Sequence, residues 1–207
     1  MSKIFSEVFP TLVLEESIRQ QLEQVAVEKV TTTSRKEFLR VYIFSSHLIS
    51  KEIILKLERE IKAQLFPKTA IVIKIYEKFQ LSAQYTPEKF WDVYWESVLL
   101  ELKEYDHILY NAAKGADIVF EADRMALTVQ DTVLVRGKSE ELARILEKIW
   151  NERAGFGVTV QISYKEAETG KYEKEDEQKC AMQVAAISAR IKGSDEEGAG
   201  GQAPRNA

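Results

Sequence analysis

The sequence has little of the chemistry that disulfide-bonded, metal-binding or membrane proteins use. Its 207 residues include one cysteine, Cys180, and two histidines, His47 and His107. One cysteine cannot form an internal disulfide, and these three side chains cannot build the usual Cys/His zinc site. No apolar run approaches the roughly 20 residues that a membrane helix needs, and Glu7 interrupts the segment where a signal peptide would be apolar. The composition predicts a cytoplasmic chain without membrane association, in which Cys180 is a small apolar residue on a helix.

The sequence also lacks the motifs of common catalytic sites. It contains no Gly-rich phosphate loop with its lysine, no nucleophile elbow, no His-x-x-x-His pair and no aspartate pair at metal-binding spacing. The acidic residues between Glu173 and Glu177 crowd one charged segment, which is typical of a solvated helix face. We therefore predict that this chain alone is not an enzyme, and we assign it no catalytic, cofactor-binding or metal-binding residue.

Charge differs only modestly between the parts of the chain. Residues 1–84 carry 13 Lys/Arg and 10 Asp/Glu, and the whole chain has a net charge of −4. A strong nucleic-acid binder concentrates positive charge on one face. The local basic cluster "SRKEFLR", with Arg35, Lys36 and Arg40, is interpreted as a solvated hairpin tip. The alternative is a weak contact with single-stranded nucleic acid.

The first part of the chain shows two helical segments followed by the order strand, strand, helix, strand. The β-rich runs "VEKVTTT" and "EFLRVYIFSS" flank a polar turn and predict a hairpin. The segment "SKEIILKLEREIKAQLFP" predicts a helix that begins after the capping Ser50 and ends at Pro67. The alternating run "AIVIKIYE" predicts a strand. Residues 1–79 are therefore predicted to form a small α+β domain of αββαβ type.

The second part repeats this order. Helices at "EKFWDVYWESVLLELKEYD", after Thr86 and Pro87, and at "HILYNAAKG" precede the strands "DIVFEA" and "MALTVQ", the helix "KSEELARILEKIWNERAG" and the strand "VTVQISY". The apolar positions of the first repeat's helix recur at an offset of about 88 residues, as Ile54, Leu57 and Ile61 against Leu142, Ile145 and Ile149. We predict a second αββαβ domain over residues 80–165.

Residues 166–207 have a different composition. Cys180, Val184, Ile187 and Ile191 form a thin apolar stripe on a predicted charged helix, and the glycine-rich end reads as a disordered tail.

Two tryptophans lie four positions apart in "EKFWDVYWESVLLELKEYD". Helical spacing predicts a buried stripe that comprises Trp91, Tyr94, Trp95, Val98, Leu99, Leu102 and Tyr105. We interpret the tryptophans as core anchors, and the alternative is a stacking platform for a ligand. Val93 and Leu100 fall on the polar side of this helix and are candidate partner contacts, although isolated exposed apolar residues are common.

The order of helices followed by ββαβ suggests a KH-like layout for the second domain. A KH domain clamps single-stranded nucleic acid with a G-x-x-G loop. That loop is missing from the sequence. The segment "AAKGAD" has only one glycine, and the "GFG" of residues 155–157 indicates a helix end followed by a turn. A KH-like fold without its clamp favours a module that binds proteins, with single-stranded nucleic-acid binding as the alternative.

Several short motifs occur in an order that resembles a known family. They are "VEKVTTT", the helix ending in "LF" before "AIVIKI", the "YW" of Tyr94 and Trp95, the "GF" of Gly155 and Phe156, and the "EQK" of residues 177–179. Together they resemble the N-terminal region of PolC-type bacterial DNA polymerase III, the replicative α subunit. The resemblance extends to about residue 192, and it departs from the family at Gly157, where a proline is usual.

The resemblance implies a function. In that family this region comprises two non-catalytic domains and a charged linker, and the second domain is similar to the KH-like polymerase-binding domain of the clamp-loader tau subunit. The polymerase and 3'-5' exonuclease domains of the full-length protein are absent from this chain. The resemblance implies a protein-interaction module that tethers the polymerase to replisome partners such as the clamp loader. It also implies that Trp95 is a core anchor and that Phe156 fills the helix-to-strand turn.

Overall fold

The computed structural model describes residues 3–165, which have a mixed α+β architecture. The expected fold class is confirmed. Residues 1–165 form one compact unit. Within the described residues, no helix combines the length and the apolar character needed to cross a membrane. The predicted charged helix, with its stripe at Cys180, Val184, Ile187 and Ile191, and the predicted glycine-rich tail lie outside the described residues.

Helices and strands are interspersed along the described residues. The helices are α1 (Phe5–Val8), α2 (Glu16–Leu22), α3 (Lys51–Leu65), α4 (Pro87–Tyr105), α5 (His107–Lys114) and α6 (Val133–Glu147), and α6 continues into a π-helical segment, Lys148–Arg153. The strands are β1 (Lys3–Ile4), β2 (Ala26–Thr32), β3 (Phe38–Ser45), β4 (Val72–Phe79), β5 (Asp117–Glu121), β6 (Arg124–Gln130) and β7 (Thr159–Lys165).

The two sheets share one topology. The first sheet has the order β1-β2-β3-β4 and the second has the order β5-β6-β7. In each sheet an antiparallel hairpin is followed by a helix and a parallel strand, with Phe38 opposite Val72 in the first and Arg124 opposite Thr159 in the second. The predicted repeat of strand, strand, helix and strand is therefore present in both halves, and the first sheet has β1 in addition, antiparallel to β2. A KH-like identity of the second half stays a prediction.

Three helices begin at a capping hydroxyl. The side chains of Ser50, Thr86 and Thr132 accept hydrogen bonds from backbone N–H groups in the first turns of α3, α4 and α6. The predicted caps at Ser50 and Thr86 are confirmed. Helix α6 begins at Val133 rather than at the predicted Lys138, because the Thr132 cap satisfies its first turn.

One contiguous core contains buried side chains from both halves. The middle of α3 supplies three fully buried residues, Ile54, Leu57 and Ile61. In the second half, Leu142 and Leu146 of α6 and Trp150 of the π-helical segment are buried, whereas Ile145 is half-buried. The predicted Ile149 is also buried, so two of the three predicted positions are confirmed and Ile145 is the exception.

The buried face of α4 includes residues outside the predicted stripe. Phe90 is fully buried together with the predicted Tyr94, Val98 and Leu102. Tyr105 is 63% exposed, and its hydroxyl donates to Glu141 at 2.7 Å. The prediction that Tyr105 belongs to the buried stripe is wrong, because a surface carboxylate binds its hydroxyl at the end of the helix.

Candidate functional site

Four charged side chains from separate elements meet inside the compact unit. They are Lys51 of α3, Glu77 of β4, Glu101 of α4 and Arg153 of the π-helical segment, and we call them the central ion-pair cluster. The Arg153 guanidinium donates to both carboxylate oxygens of Glu101, at 2.8 and 3.0 Å. Glu77 Oε1 lies 3.1 Å from Arg153 Nη1 and 3.2 Å from Lys51 Nζ. Because α3 and β4 belong to the first half, this cluster links the two halves.

The electrostatics of the central ion-pair cluster follow from burial and mutual attraction. Burial raises the pKa of the Glu101 carboxyl, but the charges and hydrogen bonds of Arg153 and Lys51 outweigh it and lower this pKa to about 2. Burial opposes the charge of Arg153, yet Glu77 and Glu101 raise the guanidinium pKa above its ordinary value. The Tyr94 hydroxyl lies 3.4 Å from Glu77, and burial together with that carboxylate raises the pKa of this phenol.

The cluster borders a cleft of about 470 Å³. Lys51, Glu101 and Arg153 line it together with apolar side chains such as Leu55. The Oε2 atom of Glu77 is buried and has no hydrogen-bond partner among the described residues. Among residues 3–165, no group of three His, Cys, Asp or Glu side chains is placed to hold a metal ion. The central ion-pair cluster therefore joins α3 and β4 to α4 and the π-helical segment.

The predicted basic cluster divides between a turn and a strand. Arg35 and Lys36 lie in the exposed turn between β2 and β3, where Lys36 adopts a positive φ of 55°. Thr33 stabilises this turn, since its hydroxyl accepts hydrogen bonds from the backbone N–H groups of Glu37 and Phe38. Arg40 lies farther along on β3 and is also exposed. All three cations are solvent-exposed, but only Arg35 and Lys36 lie at the hairpin tip, whereas Arg40 lies on the strand.

A second arrangement of cations emerges only from strand pairing. The parallel register of β3 and β4 places Arg40 beside Lys74 and Tyr42 beside Tyr76. The two tyrosine rings stack with centroids 5.1 Å apart and planes 18° apart. Lys29 of β2 lies opposite Tyr42, with its Nζ 4.4 Å from the ring centroid. We call this surface the outer sheet face, defined by Lys29, Arg40, Tyr42, Lys74, Tyr76 and Lys78.

Sequence reasoning did not identify the outer sheet face. The signal was present as two short alternations, "RVY" at residues 40–42 and "KIYEK" at residues 74–78. In a strand, residues two apart share one face. Recognising the surface also required the pairing partner and the register of β3 and β4.

The predicted partner contacts on α4 differ in exposure. Val93 is 64% exposed and lies beside a shallow depression lined by Gln84, Tyr85, Lys89 and Asp92. Leu100 is half-buried. The structure therefore leaves Val93 more accessible to a partner than Leu100.

The start of α6 carries a pair of exposed aliphatic side chains. Val133 is 87% exposed and Leu134 is 65% exposed. They adjoin a groove of about 280 Å³ whose lining includes Ile108, Ala112 and Val135. We call Val133 and Leu134 the α6 apolar turn. Sequence reasoning missed it because the helix was predicted to begin at Lys138.

The three predicted structural anchors all contact the core. Trp91 and Trp95 are half-buried, and their ring centroids lie 3.7 Å apart. Phe156 is also half-buried, with its ring centroid 5.5 Å from that of Phe90. The backbone before Phe156 turns at Gly155, whose φ of +81° is a conformation that favours glycine.

Comparison with known proteins finds one similarity, in the first part of the chain. No curated protein and no solved structure matches the chain significantly. A family model described as DNA polymerase III polC-type N-terminus I matches residues 4–75, which extend from the end of β1 to the middle of β4. Through this segment, which comprises 72 of the 207 residues, the chain is similar to the N-terminal region of PolC-type DNA polymerase III.

Proposed function

We propose that this chain is a non-catalytic protein-interaction region that tethers a PolC-type polymerase to replisome partners in the cytoplasm. The partner that we propose is a clamp-loader subunit of the tau type. The observation that carries the proposal is the α6 apolar turn, in which Val133 and Leu134 present adjacent aliphatic side chains to solvent.

Exposed aliphatic side chains contribute most to binding when they enter an apolar depression on the partner, or when they border a depression that accepts an apolar side chain of the partner. Leu134 itself lines the groove formed with Ile108, Ala112 and Val135, so apolar surface continues from the helix turn into the groove. Protein interfaces concentrate their binding energy in a small desolvated centre surrounded by polar groups. The α6 apolar turn and its groove have the character of such a centre.

Polar groups flank this centre. Arg136 donates to Asp131 at 2.6 Å through Nη2, and its guanidinium carbon lies 4.9 Å from the centroid of the Tyr164 ring. Interface rims are typically polar and solvent-accessible, with arginine and tyrosine enriched. A partner surface with an apolar protrusion and an acidic or hydroxylated rim would be complementary.

The α4 surface at Val93 and Leu100 is the second part of the proposed interaction region. Val93 would supply apolar contact, and Leu100, which is half-buried, would contribute less. The experiment below tests this surface and the α6 apolar turn with separate variants.

The experiment measures binding of the purified full chain to a purified tau-type clamp-loader subunit by biolayer interferometry. We expect Val133→Asp/Leu134→Asp to weaken binding by about tenfold or more, because the charges would have to be desolvated at the interface centre. Val119→Asp is the matched control, since Val119 is 55% exposed on β5. Val93→Asp and Leu100→Asp test the α4 surface separately.

Circular dichroism melts show whether each variant retains the fold. A wild-type chain that fails to bind the subunit would refute the proposed partner. Binding that survives both the α6 and the α4 substitutions would refute both surfaces.

A further inference from the structure

We propose that the outer sheet face binds single-stranded nucleic acid, with Tyr76 stacking on a base and the surrounding cations contacting phosphates. This inference goes beyond the proposed tether, because it concerns the first sheet and a different class of ligand.

The aromatic stack has one accessible end. Tyr42 is covered on one side by the Tyr76 ring and approached by the ammonium of Lys29. Tyr76 belongs to the edge strand β4 and is 42% exposed. The ring face of Tyr76 that points away from Tyr42 would therefore extend the stack to an incoming base. Aromatic side chains bind unpaired bases in this way regardless of base identity.

A cleft of about 450 Å³ adjoins this stack. Its lining includes Tyr42, Tyr76 and three cations outside the central ion-pair cluster, which are Arg40, Lys78 and Lys148. Two carboxylates that are not part of the central ion-pair cluster, Glu28 and Glu152, line the same cleft. The cations therefore exceed these carboxylates by one, which favours a polyanion but predicts modest affinity.

The pairing of the cations indicates which of them could contact phosphate. Among the described residues, no carboxylate lies within 4.0 Å of the charged groups of Arg40 or Lys78, whereas Lys74 pairs with Glu58 at 3.3 Å. Arg40 and Lys78 flank the tyrosine pair along their strands, because each lies two residues from Tyr42 or Tyr76. A strand of nucleic acid that follows this line would place phosphates near both cations while a base reaches Tyr76.

These features favour a single strand over a duplex. Bases inside a duplex are stacked on each other and cannot stack on a protein side chain, whereas unpaired bases can. Contacts between a few cations and phosphates supply weak, salt-dependent binding, with dissociation constants of about 10⁻⁴ to 10⁻⁶ M. This range agrees with the expectation from the sequence that the chain is not a strong nucleic-acid binder.

The test is a fluorescence anisotropy titration of the full chain against a labelled oligothymidylate of about 12 nucleotides. At about 50 mM salt we expect micromolar binding that weakens as salt is raised to about 150 mM. Tyr76→Ala should weaken binding by roughly fivefold or more, and Tyr76→Phe should retain it, because stacking needs the ring and not the hydroxyl.

Charge variants complete the test. Arg40→Glu/Lys78→Glu should abolish measurable binding, while Arg59→Glu/Arg144→Glu, which changes the net charge equally on the exposed surfaces of α3 and α6, should retain most of it. Arg35→Ala/Lys36→Ala tests the hairpin tip and should have a smaller effect than Arg40→Glu/Lys78→Glu. Thermal melts by circular dichroism verify that each variant is folded.

Three results would overturn the proposal. The first is absence of binding by the wild-type chain at about 50 mM salt. The second is equal affinity of the wild type and a folded Tyr76→Ala variant, which would leave electrostatic attraction alone. The third is equal loss of affinity in both charge-reversal variants, which would show that net charge and not the outer sheet face determines binding.

Discussion

Glu58 accepts a hydrogen bond from the backbone N–H of Ile75 at 2.8 Å. Ile75 lies on β4, the edge strand of the first sheet, so its N–H would otherwise lack a strand partner. In the second half, Glu147 of α6 accepts from the backbone N–H of Val160 on β7 at 3.0 Å. Each repeat therefore uses a helical glutamate to satisfy one N–H of an edge strand, which removes a donor that another chain could pair with.

We expect Glu58→Ala to destabilise the protein. The substitution leaves the Ile75 N–H without its acceptor near the core, which costs about 1–3 kcal/mol of the free energy of unfolding. Glu60→Ala on the same helix is the control, because the Glu60 carboxylate binds only the exposed side chain of Gln64 among the described hydrogen bonds. Urea denaturation followed by circular dichroism measures both. Equal stability of the two variants would contradict a role for Glu58 at the edge strand.

We expect Trp150 to contribute more to stability than Trp91 or Trp95. Trp150 is fully buried, and its ring contacts Phe90, whereas the other two tryptophans are half-buried. Trp150→Ala should cost about 3–5 kcal/mol, since it removes a large buried ring and leaves a cavity. Trp91→Ala and Trp95→Ala should each cost less, because part of each ring is already hydrated. Chemical denaturation of the three variants tests this order, and a larger loss in Trp95→Ala would reverse it.

Protonation of Glu101 at acidic pH should lower the stability of the protein. Its pKa is lowered to about 2 in the folded state, chiefly by Arg153 after the opposing effect of burial. In the unfolded chain the Glu101 carboxyl has its ordinary pKa of about 4.3, so between that pH and about 2 the unfolded chain binds more protons than the folded protein. The stabilising contribution of Glu101 is therefore fully present above about pH 4.3 and is lost as the pH falls towards 2. The contribution is at most about 3 kcal/mol, and the 27% exposure of the Glu101 side chain reduces it.

Glu101→Gln should lower stability at neutral pH and flatten its dependence on pH between about 4.5 and 2. Glu104→Gln, at an exposed position on the same helix, should leave that dependence unchanged. Unfolding free energies from urea titrations over this pH range provide the measurement. An unchanged slope in Glu101→Gln would show that other carboxylates dominate acid unfolding.

The predicted division into residues 1–79 and 80–165 can be tested by limited proteolysis. The connecting segment contains three consecutive exposed residues, Ser82, Ala83 and Gln84, so we expect cleavage there. Because the central ion-pair cluster joins the two halves, we expect the nicked fragments to stay together in gel filtration.

Expression of each half alone then tests its independence. The two-domain division predicts that each half melts cooperatively by itself. If each half is unfolded alone and folded only when the two are mixed, residues 1–165 are a single folding unit.

The helices and strands of this protein could be predicted from the sequence because their signals are local. Ser50 and Thr86 are caps that precede periodic apolar residues, and the alternation in "AIVIKIYE" predicts a strand whose inward positions include Ile73 and Ile75. The family resemblance also came from short motifs, and the match over residues 4–75 confirms it. Hydrogen-bonded caps and side-chain periodicity depend on neighbours within a few residues, so the sequence alone determined these features.

Tertiary structure decided which surfaces these elements present. Tyr105 satisfies the helical spacing of the buried face but is exposed, while Phe90 is buried against Trp150. Glu101 and Arg153 are 52 residues apart in the chain and meet only when α4 packs beside the π-helical segment. Tyr42 and Tyr76 likewise meet only through the register of two paired strands. Such contacts depend on packing between distant segments, and local periodicity does not specify which segments pack together.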